Sequence, residues 1–309
     1  MLARCGPRPT AHTPRGPGTR SGIGHILEAC ASDAARRRAA RENGKPIVSE
    51  LSARRVVDLS VPVAEHLPAS WPTHVPFQHQ TYTWYGRTHE GADAPESRLG
   101  PYATRWMAID EHTGTHVDAP SHFIPPPGSG LDFAGAWGEV DVDGVPLAQL
   151  IGPAAVIDVP LLESEPGTSP LITPDVVHAW EAEHGELRPG EIVLWRTGWD
   201  RHYLPGRAGD AYLRDAVVHG SAPAWPAPSV ETIELVIGRG VRCLGTDGAS
   251  MGPAQGGQAV HVAALGTGAV FVECLAGLAE LPHRGATFVF LPLKVLGATG
   301  APGRAVAFL

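Results

Sequence analysis

The segment of residues 111–123, EHTGTHVDAPSHF, constrains the fold and the chemistry of this 309-residue chain more than any other. It places three histidines and one aspartate within eleven residues: His112, His116, Asp118 and His122. On an α-helix, Asp118 would lie about 240° around the axis from His112 and would point away from it. On a strand, all four even-numbered positions point to one side. The segment therefore predicts a strand that gathers candidate metal ligands.

A flat strand would not bring these histidines to one ion. At roughly 3.3 Å per residue, the Cα atoms of His112 and His116 would be about 13 Å apart. Gly114 lies between them, and glycine tolerates the backbone conformation of a bulge. We therefore expect the chain to bend at Gly114. The alternative, that the histidines are ordinary hydrogen-bonded groups on a half-buried strand, fits one histidine better than a cluster of three.

Beyond this segment, short apolar runs alternate with two helical patterns. Thr173 and Pro174 predict a helix over residues 174–184, with threonine as its N-cap and proline in its first turn. A second helix is predicted over residues 229–239 and ends before Gly240. The predicted buried strands cover residues 56–59, 154–159, 192–195, 241–244, 270–273 and 286–293. Strands interleaved with helices predict an α/β fold.

The pattern His-x-Gly-Thr-His-x-Asp-x-Pro-x-His-Phe at residues 112–123 resembles the signature of the family that contains bacterial kynurenine formamidases, isatin hydrolases and cyclases. Weaker matches at residues 56–60, 190–199 and 240–250 extend the resemblance over residues 55–296. The resemblance implies a single swivelling β/β/α domain with a mixed, barrel-like sheet.

The same resemblance implies a role for each ionisable residue at the even-numbered positions. The first two histidines and the aspartate of the family signature bind a divalent metal, which implies His112, His116 and Asp118 in this chain. The last histidine of the signature acts in proton transfer, which implies His122 as the catalytic residue. Both roles fit the side chains, since imidazole and carboxylate bind divalent metals and histidine exchanges protons near neutral pH.

A second ion is implied by the formamidase branch of the family. There the same aspartate binds a second metal together with a distant histidine and glutamate, which implies His261 and Glu273. Members similar to isatin hydrolases hold one metal, so one ion and two ions both stay open. In such a variant Gln255 or Gln258 could supply an amide ligand. On their own, His261 and Glu273 would be ordinary surface groups.

The implied chemistry is hydrolysis: a divalent ion lowers the pKa of bound water toward about 7, and His122 moves a proton to the leaving atom. The sequence therefore predicts a metal-dependent, arylformamidase-like hydrolase that cleaves an amide or lactone of a small cyclic or aromatic substrate. Zinc is the expected ion, with manganese or iron as alternatives, because nitrogen and oxygen donors accept all three. Two alternatives stay open: a cyclase or dehydratase that acts on a natural-product intermediate, and a non-enzymatic metal-binding scaffold. Ser121 and Ser250 are not expected to be nucleophiles.

Two aromatic loop segments are candidate walls of a substrate pocket. One contains Trp71 and Phe77, and the other covers residues 82–99 and contains Trp84. Aromatic side chains on such loops can hold a flat substrate, so Trp71 is the first choice for substrate contact, with Phe77 as a second. A cap over the core or an oligomer interface fits these aromatics equally well. Residues 203–228 resemble an insertion, which leaves the identity of the substrate open.

The first 50 residues form a predicted basic extension, and residues 51–309 form the predicted hydrolase domain. The first 45 residues contain nine Arg or Lys and three Asp or Glu, and Gly and Pro fill much of residues 6–24. This composition predicts a partly disordered or helical lead, with a helix over residues 25–43. A solvated helix face explains the basic cluster more simply than a nucleic-acid or targeting element.

The remaining composition argues against several classes of protein. A formal net charge of −8 argues against a nucleic-acid partner, which would favour a basic surface. The chain has no run of about 18 apolar residues and no signal-peptide pattern, so we expect no membrane partner and a cytoplasmic enzyme with a small-molecule substrate. The resemblance and the aromatic loops favour a homodimer or homotetramer. Four cysteines lack paired spacing and are expected to be reduced thiols: Cys5, Cys30, Cys243 and Cys274.

Overall fold

A mixed β-sheet lies at the centre of the structure, a computed structural model that describes residues 54–85, 87–88 and 102–309. Within these residues the strands are β1 (Val56–Asp58), β2 (Gln78–Trp84), β3 (Arg87–Thr88), β4 (Ala103–Ala108), β5 (His116–Asp118), β6 (Ile151–Asp158), β7 (Leu171–Ile172), β8 (Ile192–Arg196), β9 (Ala227–Pro228), β10 (Cys243–Thr246), β11 (Val270–Glu273), β12 (Thr287–Pro292) and β13 (Gly300–Phe308). The α-helices are α1 (Pro174–His184), α2 (Arg214–Val217), α3 (Val230–Gly238) and α4 (Gln258–Leu265).

Within the described part of the chain, seven strands close the sheet into a ring. Their order is β13-β12-β6-β8-β10-β11-β5, and β5 pairs with β13 to complete the ring. The neighbours β6, β8, β10 and β11 are parallel, whereas β5, β12 and β13 join the ring by antiparallel pairing. Strand β1 pairs antiparallel with the end of β13. The predicted α/β fold, a swivelling β/β/α domain with a mixed, barrel-like sheet, is confirmed.

Alternate side chains of the parallel strands fill two separate cores. In β6, Ala154 and Val156 pack inside the ring, whereas Ala155 and Ile157 pack against helices α1, α3 and α4. Successive side chains of a strand point to opposite faces, so a strand covered on both faces has a continuous apolar sequence. Burying one large apolar side chain contributes about 1.5–3 kcal/mol. The helices are therefore held on one outer face of the ring by many such contacts.

The predicted helices agree closely with the observed ones. Helix α1 begins after Thr173, although the Thr173 side chain makes no capping hydrogen bond. Helix α3 is capped by Ser229, whose hydroxyl accepts the backbone N–H of Thr232 at 3.3 Å. The chain leaves this helix at Gly240, which has a φ of 89°. Strand β10 begins two residues later than the strand predicted at residues 241–244.

The prediction of a loop over residues 82–99 is wrong at its beginning. Strands β2, β3 and β4 form a separate three-stranded antiparallel sheet. Its Thr, Tyr and Trp residues favour strands, and the hydroxyls of Thr83 and Thr104 form a hydrogen bond of 2.8 Å across it. Residue 86 and residues 89–101 lie outside the described part of the chain.

The insertion-like stretch of residues 203–228 is part of the folded core. It contains a 3-10 helix, Gly206–Tyr212, followed by α2 and β9. Tyr212 and Trp225 are almost fully buried in an apolar cluster with Trp199. This stretch therefore forms a structural wall and not a detached loop.

Several other sequence-based predictions concern the N-terminal extension, the cysteines and membrane-spanning segments. The predicted extension over residues 1–50 and its helix at residues 25–43 lie outside the described residues, as do Cys5 and Cys30. The described residues belong to one compact unit, residues 54–309. Among them Cys243 and Cys274 are buried free cysteines, and every helix is too short or too polar to span a bilayer.

Candidate metal centre

Strands β5 and β11 and helix α4 bring the predicted ligands to one place. Val117 of β5 packs inside the ring, so its neighbours His116 and Asp118 point to the opposite face, where the helices lie. Glu273 of β11 points to the same face because it pairs directly with His116 across the two strands. His261 reaches this face from α4. The four polar side chains are all buried.

Asp118 is the centre of the cluster. Its Oδ1 lies 2.8 Å from Nδ1 of His112 and 3.3 Å from Nε2 of His116. Its Oδ2 lies 3.6 Å from Nε2 of His261. The Glu273 carboxylate closes the group, 3.7 Å from Nε2 of His116 and 3.5 Å from Nε2 of His261. All five residues predicted as ligands therefore lie in one cluster around the carboxylates of Asp118 and Glu273.

The prediction of a single strand over residues 112–122 is wrong, because only His116–Asp118 is a strand. Before it, Gly114 turns the chain with a φ of 62° and donates its N–H to the carbonyl of Ala69 at 2.7 Å. After it, the 3-10 helix Pro120–His122 begins at a proline, whose fixed φ suits a first helical turn. These two turns bring both ends of the segment back toward the cluster. The bend predicted at Gly114 is confirmed.

Backbone carbonyls fix the orientation of two histidines. The Nδ1–H of His116 donates to the carbonyl of Gly114 at 2.8 Å, and the Nδ1–H of His261 donates to the carbonyl of Gly257 at 2.8 Å. Each bond keeps the ring proton on Nδ1 and leaves the lone pair of Nε2 directed toward the two carboxylates. Metal-binding histidines almost always have such an outer partner. The two rings are therefore oriented so that Nε2 of each can bind a cation.

His112 faces the cluster with its other nitrogen. Its Nδ1 lies beside Asp118, and its Nε2 lies 3.4 Å from the hydroxyl of Thr299. That hydroxyl donates to the carboxylate of Glu111 at 2.9 Å, so it offers a lone pair to the Nε2–H of His112. Glu111 also accepts the backbone N–H groups of Thr299 and Gly300 at 2.8 and 3.3 Å. This chain of bonds leaves the lone pair of His112 on Nδ1, the atom that would bind a metal.

Replacing Thr299 with valine tests this orientation. The change keeps the shape of the side chain but removes the hydroxyl between Glu111 and His112. We expect the affinity for metal to fall about 10- to 100-fold, the usual effect of losing an outer partner of a ligand. The measurement is the metal dissociation constant in competition with a chromophoric chelator. Thr168→Val, which removes a hydroxyl outside the cavity, is the control, and equal affinities in the two variants would contradict the assignment.

Charge balance in the cluster favours a cation. Burial raises the pKa of Asp118, but the charge of His122 and the hydrogen bonds from three other histidines hold that pKa well below its usual range. Burial lowers the pKa of His261, but its bonds to Asp118 and Glu273 raise it to about 10. Asp118 is therefore ionised at neutral pH, and protons on the histidines or a divalent ion must balance its charge. Imidazole nitrogens and carboxylate oxygens suit zinc, manganese or iron, so the residues fit the implied metal.

His122 lies at the edge of the cluster. Its ring lies against that of His112, with centroids 3.9 Å apart. Burial lowers its pKa to about 3. The described residues contain two groups of donor atoms close enough to hold an ion: His112, Asp118 and His122, and His116, Asp118 and Glu273. The position of His122 thus fits proton transfer and also fits a ligand.

A cavity of about 280 Å³ opens onto the cluster. Its apolar lining residues include Pro68, Trp71, Phe123, Tyr212, Leu213 and Ala249. The ring of Trp71 meets that of the buried Trp225 edge-on, with centroids 6.0 Å apart, which holds Trp71 in the wall. Ligand cavities are usually about 300–1,000 Å³, so this one suits a small molecule of one or two rings. Trp71 lies where a substrate contact is predicted.

The structure does not bring two other predicted contacts into this cavity. Phe77 lines a separate neighbouring cavity, and its backbone N–H donates to the hydroxyl of Ser70 at 3.2 Å. Gln255 makes two hydrogen bonds with the backbone of Ser169, at 2.8 and 3.1 Å, which engage its amide. Gln258, in contrast, lines the cavity at the start of α4.

Ser250 lies in a Gly-x-Ser-x-Gly pattern at residues 248–252, and this pattern is typical of a serine-hydrolase nucleophile. Its hydroxyl donates to Oε1 of Glu273 at 3.2 Å and accepts the N–H of Gly252 at 3.2 Å. The N–H of Met251 donates to the same Oε1 at 2.6 Å. A nucleophile of this type requires a helix directly after the serine, whereas α4 starts several residues later. The turn after β10 therefore holds the Glu273 carboxylate in place.

Four further polar residues shape the site although the sequence assigns them no role: Glu111, Thr299, His74 and Asp110. Asp110 and Glu111 directly precede the first histidine of the cluster, and this adjacency is the signal that could have found them. His74 and Thr299 are distant in sequence and stand in no recognisable pattern. Nδ1 of His74 lies 3.0 Å from the carboxylate of Asp110, and His74 lines the cavity.

Comparison with known proteins assigns this arrangement to a family. The model of the "Putative cyclase" family matches residues 57–253. The chain belongs to this family. An isatin hydrolase from Roseibium aggregatum is 36% identical over 220 residues, which cover 68% of this chain and 76% of the relative. A kynurenine formamidase from Salinibacter ruber is 31% identical over 252 residues, which cover 81% of this chain and 96% of the relative.

Solved structures agree with these cyclase-family relatives. An isatin hydrolase bound to the product analogue thioisatinate has a TM-score of 0.66 and 25% identity, with 94% of this chain and 99% of that chain covered. Isatin hydrolase A from Labrenzia aggregata, bound to benzyl benzoate, has a TM-score of 0.67 and 28% identity, with 85% and 97% covered. The predictions of the family and of an enzyme of the metal-dependent hydrolase class are confirmed.

Proposed function

We propose that this cyclase-family enzyme hydrolyses the amide bond of a small aromatic formamide or lactam, and that a lactone is the less favoured substrate. The observation that carries the proposal is the Asp118 carboxylate, which is buried and in contact with three imidazoles beside an aromatic-walled cavity. The names of the relatives support an aromatic amide, since isatin is a bicyclic lactam and a formamidase cleaves a formamide.

The proposed ligands are the five residues of the cluster: His112, His116, Asp118, His261 and Glu273. Asp118 contacts His112 and also belongs to the donor group of His116 and Glu273, which supports two ions with Asp118 as a common ligand. A single ion remains the alternative, with the other residues as outer partners. We propose zinc as the ion, with manganese or iron as alternatives, because the donors are nitrogen and oxygen atoms. Elemental analysis of protein purified without added metal tests both the number and the kind of ion.

In the proposed reaction, water adds to the carbonyl carbon and the C–N bond breaks, which yields a carboxylic acid and an amine. A divalent ion would polarise the carbonyl and lower the pKa of water. His122, which lines the cavity beside His112, takes a proton from the attacking water and delivers a proton to the leaving nitrogen. Trp71 and Phe123 hold the substrate ring between the cavity walls and limit the access of bulk water.

A substrate panel tests the proposal. Metal-loaded protein is incubated with an aryl formamide, with isatin and with an aromatic lactone, and cleavage is followed by absorbance. We expect turnover of at least one amide, its loss after dialysis against a chelator, and its return when zinc or manganese is added. Turnover that survives complete removal of metal would contradict the proposal. Metal binding without any turnover would favour the scaffold, and a cyclised or dehydrated product would favour the cyclase.

We also propose that the enzyme acts in the cytoplasm as a homodimer or homotetramer, with residues 51–309 as the catalytic domain and residues 1–50 as an extension. Exposed aromatic side chains on the three-stranded sheet support a surface between copies, since Trp84 is 56% exposed and Trp106 is 45% exposed. The net charge of −8 supports a partner other than nucleic acid. Light scattering of the purified protein tests the oligomeric state.

A further inference from the structure

His74 lies in the wall of the cavity, outside the proposed ligands. It follows Trp71 in a turn in which the N–H of His74 donates to the carbonyl of Trp71 at 3.0 Å. Its ring lines the cavity, and its centroid is 5.9 Å from that of His112. A substrate whose carbonyl lies at the cluster would therefore place the atoms next to that carbonyl within reach of His74.

Asp110 determines which nitrogen of His74 carries the proton. Its Oδ1 lies 3.0 Å from Nδ1 of His74 and also accepts the backbone N–H of His112 at 3.0 Å. A carboxylate only accepts hydrogen bonds, so in the neutral imidazole the proton is on Nδ1 and the lone pair is on Nε2. In the described part of the chain no residue hydrogen-bonds to this Nε2. His74 therefore offers the cavity one acceptor atom, and Asp110 ties it to the backbone of His112.

We propose that His74 selects substrates that have a free amide N–H, by accepting a hydrogen bond from that N–H at Nε2. The inference rests on the proposed amide hydrolysis and defines its substrate class as secondary aryl amides and N–H lactams. In these compounds the nitrogen that carries the hydrogen is bonded directly to the reacting carbonyl carbon. An N-substituted amide has no such donor, and a lactone brings an oxygen lone pair against that of Nε2. Both are disfavoured because a polar group of the protein loses its partner.

The expected size of the preference follows from the exposure of the pair. The His74 side chain is 33% exposed and that of Asp110 is 22% exposed, so water partly replaces a lost partner. A hydrogen bond in such surroundings is expected to change affinity by about tenfold. This effect concerns substrate affinity, and the proposal gives His74 no role in the chemical step. It is large enough to measure in a binding experiment.

The test uses two probes of the same shape, 2-oxindole and 2-indanone, which differ by N–H against CH₂. Binding to the metal-loaded enzyme is followed by quenching of tryptophan fluorescence, since Trp71 lines the cavity. The wild type should bind 2-oxindole about tenfold more tightly than 2-indanone. His74→Ala should reduce this preference about tenfold, and Asp110→Asn should also reduce it because an amide can donate to Nδ1. His79→Ala, which removes an exposed histidine, is the control and should keep the preference.

Kinetics with isatin give the second measurement. His74→Ala should raise KM about tenfold and leave kcat within about twofold of wild type, with unchanged metal content. The proposal is overturned if the wild type shows no preference, if His74→Ala keeps it, or if that variant loses affinity for both probes equally. Should no amide be turned over, the proposed function fails, and the binding preference alone still decides the role of His74.

Discussion

Replacing Asp118 with alanine is expected to remove the bound metal and the enzymatic activity together. The carboxylate contacts three of the proposed histidine ligands and belongs to both donor groups of the cluster, so each group loses a member. Loss of an outer partner of a ligand costs roughly 10- to 100-fold in affinity or activity, and loss of a shared ligand is expected to exceed that. Elemental analysis gives the metal content, and kcat/KM is measured on the best amide of the panel.

The controls for this experiment separate loss of the ion from loss of the fold. Asp58→Ala removes an exposed carboxylate that pairs with Arg304 and should keep both metal and activity. Asp118→Asn keeps the volume of the side chain, so it should fold normally and still lose metal. Near-UV circular dichroism checks the packing of each variant. Full metal occupancy in natively folded Asp118→Ala would show that Asp118 is not a ligand.

The local sequence was sufficient to predict the part of the site that lies on β5. His116 and Asp118 share a face because they are two residues apart on a strand, and this rule needs no information about the rest of the chain. The bend at Gly114 followed from the distance that a flat strand would impose between two histidines. The turn at Pro120 was within reach of the same reasoning, because proline favours the first position of a helix.

The part of the site on β11 and α4 could not be derived from local patterns. Glu273 joins His116 because β11 pairs with β5, and β5 is held there because β13 closes the ring behind it. The register between strands that are distant in sequence depends on the whole sheet, so only the family resemblance pointed to Glu273 and His261. Thr299 reaches His112 for the same reason, since it directly precedes β13.

The positions of Phe77 and His74 depend on contacts that no local pattern marks. Phe77 is aromatic and lies near Trp71 in sequence, yet it lines a separate cavity, where its N–H donates to the hydroxyl of Ser70. His74, three residues earlier, has no pattern to mark it, yet it lines the cavity with Nδ1 beside the carboxylate of Asp110. Side-chain direction at such positions follows from tertiary contacts that composition and periodicity do not encode.

Replacing His122 with alanine is expected to keep the metal and to lower kcat by about 10²- to 10⁴-fold, the usual contribution of a general acid or base. The four imidazole and carboxylate contacts between Asp118, His116, His261 and Glu273 do not involve His122, so they should hold an ion without it. Metal content, kcat and KM are measured together on one amide substrate. His219→Ala, which removes an exposed histidine, should match the wild type in all three.

Two other outcomes would change the role of His122. The ring of His122 lies against that of His112 and belongs to one donor group, so ligation is the alternative role. In that case His122→Ala loses metal in step with kcat. An unchanged kcat would remove it from the mechanism and leave proton transfer to water alone. Added imidazole separates proton transfer from ligation, because it can enter the space left by the side chain. Recovery of kcat with imidazole at constant metal content is expected if His122 carries the proton to the leaving nitrogen.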